Sequence, residues 1–272
     1  MKTSRTMEFT KMSGTGNDFI VIDSFHRSFD IDWSVFARKY CVRKISVGAD
    51  GVLVLGPSDS ADFAYRIFNA DGSEAEMCGN GARCAAAFAV EHGIAGRHMR
   101  FKTLAGIVEA KVNPGDISIR VTEPYGLEKN IAIAAGGRQI SVHHVNTGVP
   151  HTILFTGELD TLPVDTLGRE VRVHPRFSPA GTNVDFVEVV GKDSIRVRTY
   201  ERGVEAETLA CGTGAVASAI ISHAAGKVDA RSVRVGMPGG ILKIEFTSRN
   251  GDYSDVWLTG EVSFVYNGTL AF

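Results

Sequence analysis

The sequence predicts an α/β (α+β) chain made by internal duplication, with two similar halves that each wrap a mostly antiparallel sheet around a central helix. Three observations predict it. The pattern C-G-x-G-A occurs twice, as Cys78-Gly79-Asn80-Gly81-Ala82 and Cys211-Gly212-Thr213-Gly214-Ala215. Each copy runs into an alanine-rich apolar stretch, Ala82–Val90 and Ala215–Ala225, that stops at a glycine 15 positions past its cysteine. Many short strand-like runs surround these few helices, so sheets must cover helices that are apolar nearly all round.

The elements follow in chain order. Phe19–Asp23 and Val52–Leu55 read as strands, with a helix at Trp33–Tyr40 between them and Asp32 as its N-cap. Tyr65–Asn69 is a strand ending at the Asp71-Gly72 turn, and Val197–Glu201 matches it before the Arg202-Gly203 turn. Gly93 and Gly226 suit helix stops, because glycine enters the left-handed region cheaply. Ile117–Val121, Phe186–Val190 and Val256–Thr259 are further strands. Ala105–Glu109 resembles Gly239–Lys243, and Gly14–Phe19 loosely resembles Gly181–Phe186. The offset between halves is 133 at the cysteines and 134 at the downstream glycines. Pro124 and Gly126 place a linker near Glu123–Asn130. The expected halves are 7–124 with Cys78, to which a C-terminal strand over 262–272 can return, and 125–261 with Cys211.

Composition narrows the function. The 272 residues are 44% hydrophobic and 22% charged, ordinary for a globular protein with a sizeable core. A net charge of −2, without basic clusters, argues against nucleic acid. No apolar run approaches the ~20 residues of a membrane span. Met1–Thr6 is polar and reads as a disordered leader rather than a signal peptide, with Met7 an alternative start. Four cysteines without C-x-x-C spacing point to free thiols in a reducing, cytoplasmic compartment. Cys41 and Cys84 read as small buried hydrophobes.

The other two cysteines carry chemistry. Each stands at the start of a helix, where backbone N–H groups are unpaired and the dipole is positive. Such a position is expected to lower a thiol pKa and to hold a carboxylate. Inverting a stereocentre beside a carboxylate needs a base on one face and an acid on the other, and two thiols can exchange those roles. Other motifs fail on context. Gly212–Ala217 fits a loose dinucleotide pattern but lacks the preceding apolar strand. Gly14-Thr15-Gly16-Asn17 leads into a strand, not a helix. No Walker A, G-x-S-x-G or H-E-x-x-H occurs.

From Met7 onward the sequence resembles the diaminopimelate epimerase family. The segments are Lys11-Met12-x-Gly14-x-Gly16-Asn17-Asp18-Phe19, Phe68–Ser73, Cys78–Cys84, Pro150-His151, Gly181–Val184, Tyr200–Gly203 and Glu207–Gly214. The resemblance implies two pseudo-symmetric halves with the active site in the cleft between them. It implies conversion of LL-diaminopimelate to the meso isomer, in lysine and peptidoglycan precursor synthesis, without pyridoxal phosphate, other cofactor or metal. It implies Cys78 and Cys211 as the acid–base pair, and Gly79, Asn80, Gly212 and Thr213 as holders of the carboxylate at the reacting centre. Asn17, Asn69, Asn183 and Arg202 would grip the rest of the substrate, with His151 and Glu201 near the thiols and the substrate amine. A homodimer is implied as well. Three departures stand out: Gly51 where many members carry Gln, Val149 where many carry Asn, and a segment before Cys211 one residue longer than the common form. Two other readings compete. One is a two-cysteine racemase of proline or hydroxyproline, which would not need a distal Arg202. The other is a thiol redox or binding protein joining Cys78 to Cys211.

Overall fold

The computed structural model describes residues 6–271. The leader reading of Met1–Thr6 lies outside them except for Thr6, which opens the first strand opposite Ala271. In chain order the first elements are β1 (Thr6–Gly14), β2 (Asn17–Asp23), α1 (Trp33–Tyr40), β3 (Gly51–Gly56), β4 (Phe63–Asn69) and β5 (Glu74–Ala75). Then come α2 (Gly79–Glu91), β6 (His98–Thr103), β7 (Gly106–Asn113), β8 (Asp116–Arg120), β9 (Tyr125–Ala135), β10 (Arg138–Asn146) and β11 (Pro150–Phe155). The chain continues through α3 (Val164–Arg172), β12 (Asn183–Val189), β13 (Ser194–Glu201), β14 (Ala206–Thr208) and α4 (Gly212–Ala224). It closes with β15 (Ser232–Met237), β16 (Gly240–Arg249), β17 (Asp252–Gly260) and β18 (Ser263–Ala271).

The chain forms two compact units. One runs to Ile119 and resumes at Gly260; the other spans Arg120–Thr259. In the first, β18, β1 and β2 pair antiparallel in that order, β2–β3 is parallel, β3–β4 antiparallel, β4–β6 parallel and β6–β7 antiparallel. In the second, β9, β10 and β11 pair antiparallel, β11–β12 is parallel, β12–β13 antiparallel, β13–β15 parallel and β15–β16 antiparallel. The two pairing sequences are the same. Duplication is therefore written into topology as well as into the cysteine motif.

Each unit has an inner and an outer helix. The inner helices, α2 and α4, touch strands on several sides and are buried along most of their length, which their alanine-rich sequences allow. Both stop at a left-handed glycine, Gly93 (φ 67°) and Gly226 (φ 66°). The outer helices bury one stripe. In α1 it is Trp33, Phe36, Ala37 and Tyr40; in α3 it is Val164, Leu167, Gly168 and Val171, at the same spacing. Asp32 caps α1 by accepting from the Ser34 and Val35 N–H groups at 2.9 and 3.1 Å.

Three expectations change. The linker placed at Glu123–Asn130 is mostly strand β9, because Gly126 and Asn130 take positive φ and absorb the register shifts against β10. Helix α3 escaped the sequence reading. The loose match of Gly14–Phe19 to Gly181–Phe186 is not the structural repeat. Phe19 opens the parallel pairing with Gly51 on β3, and His151 opens it with Asn183 on β12. Phe19 thus corresponds to His151, and Gly51 to Asn183.

Candidate active site

Both cysteines sit at N-cap positions in extended conformation, Cys78 (φ −135°) before α2 and Cys211 (φ −122°) before α4. Why each helix opens with glycines is steric. A Cβ on Gly81 would lie 2.6 Å from the Tyr65 hydroxyl, and one on Gly214 would strike the Asp185 carboxylate. None of the four cysteines forms a disulfide; Cys41 and Cys84 are buried, and burial pushes their thiols up to about 11 and about 12.

Around Cys78 the first unit supplies amides held by charges. Asn80 donates from Nδ2 to Asn17 Oδ1 at 2.6 Å, and Asn17 donates onward to Asp50 Oδ2 at 3.1 Å. Asn80 Oδ1 accepts from Arg83 at 2.9 Å. Each amide therefore has its orientation fixed from both ends. Asp50 is gripped by Arg43 at 2.8 Å, which also holds Asp18. Asn69 belongs to a separate local network, donating to Ser73 Oγ at 3.0 Å at the end of β4. Gly51 has a clear reason to be glycine: a Cβ there would come within 2.7 Å of the Phe68 carbonyl oxygen.

Around Cys211 the second unit builds a hydrogen-bond chain. His151 and Asp185 side chains are both fully buried and 2.7 Å apart through Nδ1. The carboxylate accepts, so Nδ1 donates, and Nε2 lies 2.9 Å from Thr213 Oγ1 in a bond whose direction the tautomer sets. Thr213 Oγ1 also lies 3.4 Å from Cys211 Sγ, and either group can be the donor. Thr199 donates to the other Asp185 oxygen at 2.7 Å. Asn183 reaches His151 Nε2 at 3.4 Å and accepts from the Arg202 backbone N–H at 2.8 Å. The Arg202 guanidinium donates to the Ala180 carbonyl at 3.1 Å. Glu201 is half-buried, and that burial raises its pKa.

The thiol at Cys211 corrects one expectation. A helix start was expected to lower its pKa. Burial pushes it well up instead, the Glu201 and Asp185 carboxylates add to the rise, and the Thr213 hydrogen bond and Gly214 N–H only partly oppose it. Two carboxylates and lost solvent outweigh one helix dipole.

The second unit therefore gathers His151, Asn183, Glu201, Arg202, Gly212, Thr213 and Cys211, and the first gathers Asn17, Cys78, Gly79 and Asn80. The sequence reading missed Asp185, Thr199, Asp50 and Arg83. Asp185 and Arg83 each sat inside a quoted motif, and their burial was the missing signal. The longer segment before Cys211 is pinned by Glu205 (φ 60°), which takes 2.9 Å from Arg172 and bonds the Gly203 N–H. Among the described residues no group of three or more His, Cys, Asp or Glu is placed to hold a metal ion.

With this geometry in place, comparison with known proteins is informative. The family profile described as diaminopimelate epimerase matches residues 9–124 and 143–265. The chain belongs to the diaminopimelate epimerase family. A diaminopimelate epimerase of Aquifex aeolicus is 45% identical over 97% of this chain and 98% of its own length. One of Archaeoglobus fulgidus is 44% identical, covering 96% and 95%. Among solved structures, a phenazine biosynthesis protein of the PhzF family from Bacillus anthracis superposes with TM-score 0.77 at 15% identity, covering 98% and 99%. A hydroxyproline epimerase from Agrobacterium vitis, with bound trans-4-hydroxy-L-proline, gives 0.70 at 19% identity, covering 100% and 94%. At these identities the structural likeness speaks for the fold alone. Membership in the diaminopimelate epimerase family makes the chain an isomerase. No helix among its described residues is long and apolar enough to cross a membrane.

Proposed function

We propose that this enzyme epimerises LL-diaminopimelate to meso-diaminopimelate, in lysine and peptidoglycan precursor synthesis, by proton transfer between Cys78, Cys211 and the substrate α-carbon. The observation that carries the reading is the duplicated N-cap cysteine, present once in each of two units of the same topology. Inversion needs an acceptor on one face of the α-carbon and a donor on the other. The raised thiol supports Cys211 as the donor in the resting enzyme. Cys78 is then the acceptor.

The Cα–H is a weak acid, so the charge that develops on the carboxylate must be stabilised. The first N–H groups of α2 and α4, at Gly79, Asn80, Gly212 and Thr213, lack partners within their helices and supply that stabilisation. Asn17, Asn69, Asn183 and Arg202 bind the distal end. Arg202 matches a carboxylate with two parallel donors. His151 and Glu201 support the thiols and the substrate ammonium. The same reading takes the enzyme as independent of pyridoxal phosphate and metal, cytoplasmic and homodimeric. Free thiols support the compartment. The exposed Phe264, Val265 and Tyr266 on β18 support self-association.

The test is isotopic. In deuterated water the purified protein, without added cofactor, should wash deuterium into the α-carbon of diaminopimelate, and Cys78→Ala or Cys211→Ala should abolish epimerisation. Exchange that requires pyridoxal phosphate, or epimerisation that survives either substitution, refutes the reading. A panel containing proline and hydroxyproline separates it from the racemase alternative. Activity that demands a Cys78–Cys211 disulfide would favour the redox alternative.

A further inference from the structure

We propose that Arg83 is a positioning residue that holds Cys78 as the thiolate of the free enzyme, its guanidinium acting as the buried counter-ion of that sulfur. The proposal rests on the reading of Cys78 and Cys211 as the proton-transfer pair.

Arg83 lies in α2, five residues past Cys78, and is completely buried. Its donors go to neutral acceptors: Gly79 O at 3.3 Å, Thr15 Oγ1 at 2.6 Å and Asn80 Oδ1 at 2.9 Å. Its Nε has no partner, and no carboxylate among the described residues pairs with it. Burial lowers its pKa only to about 10, so it stays charged at neutral pH. A buried charge without a counter-ion is costly, and folded chains ordinarily pair it. Two groups lie where a negative charge would offset it, the thiols of Cys78 and Cys84. Cys84 is buried and pushed up to about 12, so it remains a thiol. That leaves Cys78.

The surrounding elements supply no competing anion. Tyr65 on β4 is pushed well up by burial and stays neutral. Lys11 on β1 and Asp18 on β2 pair with each other at 2.7 Å, and Arg43 joins Asp18 and Asp50. Strand β3 has no ionisable residue. On β7, Glu109 and Lys111 alternate with the buried Val108, Ala110 and Val112 and so point away from the helix. Glu91 and His92 stand at the far end of α2.

The other half is built the opposite way. By the offset of 133, Arg83 corresponds to Val216, so α4 brings no cation to Cys211. The groups facing Cys211 are Glu201 on β13 and Asp185 on β12, both acidic, with Thr213 from α4. One sulfur is provided with a cation and the other with carboxylates, so the free enzyme has a built-in direction. As C–H breaks, S–H forms at Cys78. As the new C–H forms, S–H breaks at Cys211. The enzyme leaves turnover with its charge moved to Cys211 and resets by proton exchange with water.

The experiment is alkylation of the free full-length enzyme by iodoacetamide across pH, with both cysteines followed separately by peptide mass spectrometry. Cys78 should show a midpoint at least about one pH unit below that of Cys211. Arg83→Met should raise the Cys78 midpoint by about one unit or more and leave Cys211 in place, and Arg83→Lys should restore it. A lower midpoint at Cys211, or an unmoved Cys78 midpoint in folded Arg83→Met, overturns the proposal. If Arg83→Met does not fold, the comparison of the two sulfurs in the unsubstituted chain still decides. Alkylation needs no turnover, so its result stands apart from the deuterium exchange that tests the two-thiol reading.

Discussion

At the scale of single residues, the second unit's polarity is concentrated in a few buried positions. The register makes Phe19 the counterpart of His151 and Leu53 the counterpart of Asp185, so one half has an apolar wall where the other has a hydrogen-bond chain. Asp185 touches no reacting atom in the proposed mechanism. It holds a hydrogen on His151 Nδ1 and so orients the ring that contacts Thr213, the neighbour of the Cys211 sulfur. Asp185→Asn removes the carboxylate charge that holds the Nδ1 hydrogen and orients the ring. We expect kcat to fall roughly 10²-fold with KM little changed, as for loss of an oriented acid–base partner. Steady-state kinetics on a variant shown to be folded by its melting curve would check it; unchanged kcat would remove Asp185 from the mechanism.

At the scale of elements, the inner helices depend on what is missing from them. Gly81 has no room for a Cβ because the Tyr65 hydroxyl occupies that space. Gly81→Ala should cost about 1–3 kcal/mol by overpacking. Adding Tyr65→Phe removes the atom in conflict and should recover part of the loss, which urea unfolding of the two single variants and the double variant would measure. Strict additivity would show that the strain lies elsewhere. Helix α3 shows the reverse case, in which local signals mislead. Pro163 and Gly168 argue against a helix at Val164–Arg172, yet the apolar spacing is right. Gly168 is there because a Cβ would strike Tyr200, a residue on a strand more than thirty positions away.

At the scale of the whole molecule, acid sensitivity should trace to the ion network on the α1 side of the first unit. Burial opposes ionisation of Asp18, but hydrogen bonds and charge from Arg43 and Lys11 overcome it and hold its carboxyl down at about 2. A carboxyl lowered in the fold stabilises the chain above its unfolded pKa, roughly 4, and that contribution is lost as pH falls toward about 2. Melting temperature should therefore drop across this window, and Asp18→Asn should start lower at neutral pH and fall less in acid. Parallel acid limbs in calorimetry of the two proteins would show that the network contributes nothing to pH dependence.

The sequence by itself determined the duplication, the two cysteines at helix starts and the outlines of eight strands and, among the described residues, three of the four α-helices. These are local facts, carried by the spacing of apolar residues, by capping residues and by a motif repeated at a constant offset. It also carried the family resemblance that profile and relatives bear out. The tertiary structure decided how the two thiols differ. Asp185, Glu201 and His151 meet Cys211 because a parallel β11–β12 pair and an antiparallel β12–β13 pair bring distant segments into register. Arg83 is legible as a residue of α2, but its burial without a carboxylate is a property of the packed sheet around it. Desolvation and charge act through space, so two halves written with the same motif can hold their sulfurs in opposite electrostatic surroundings.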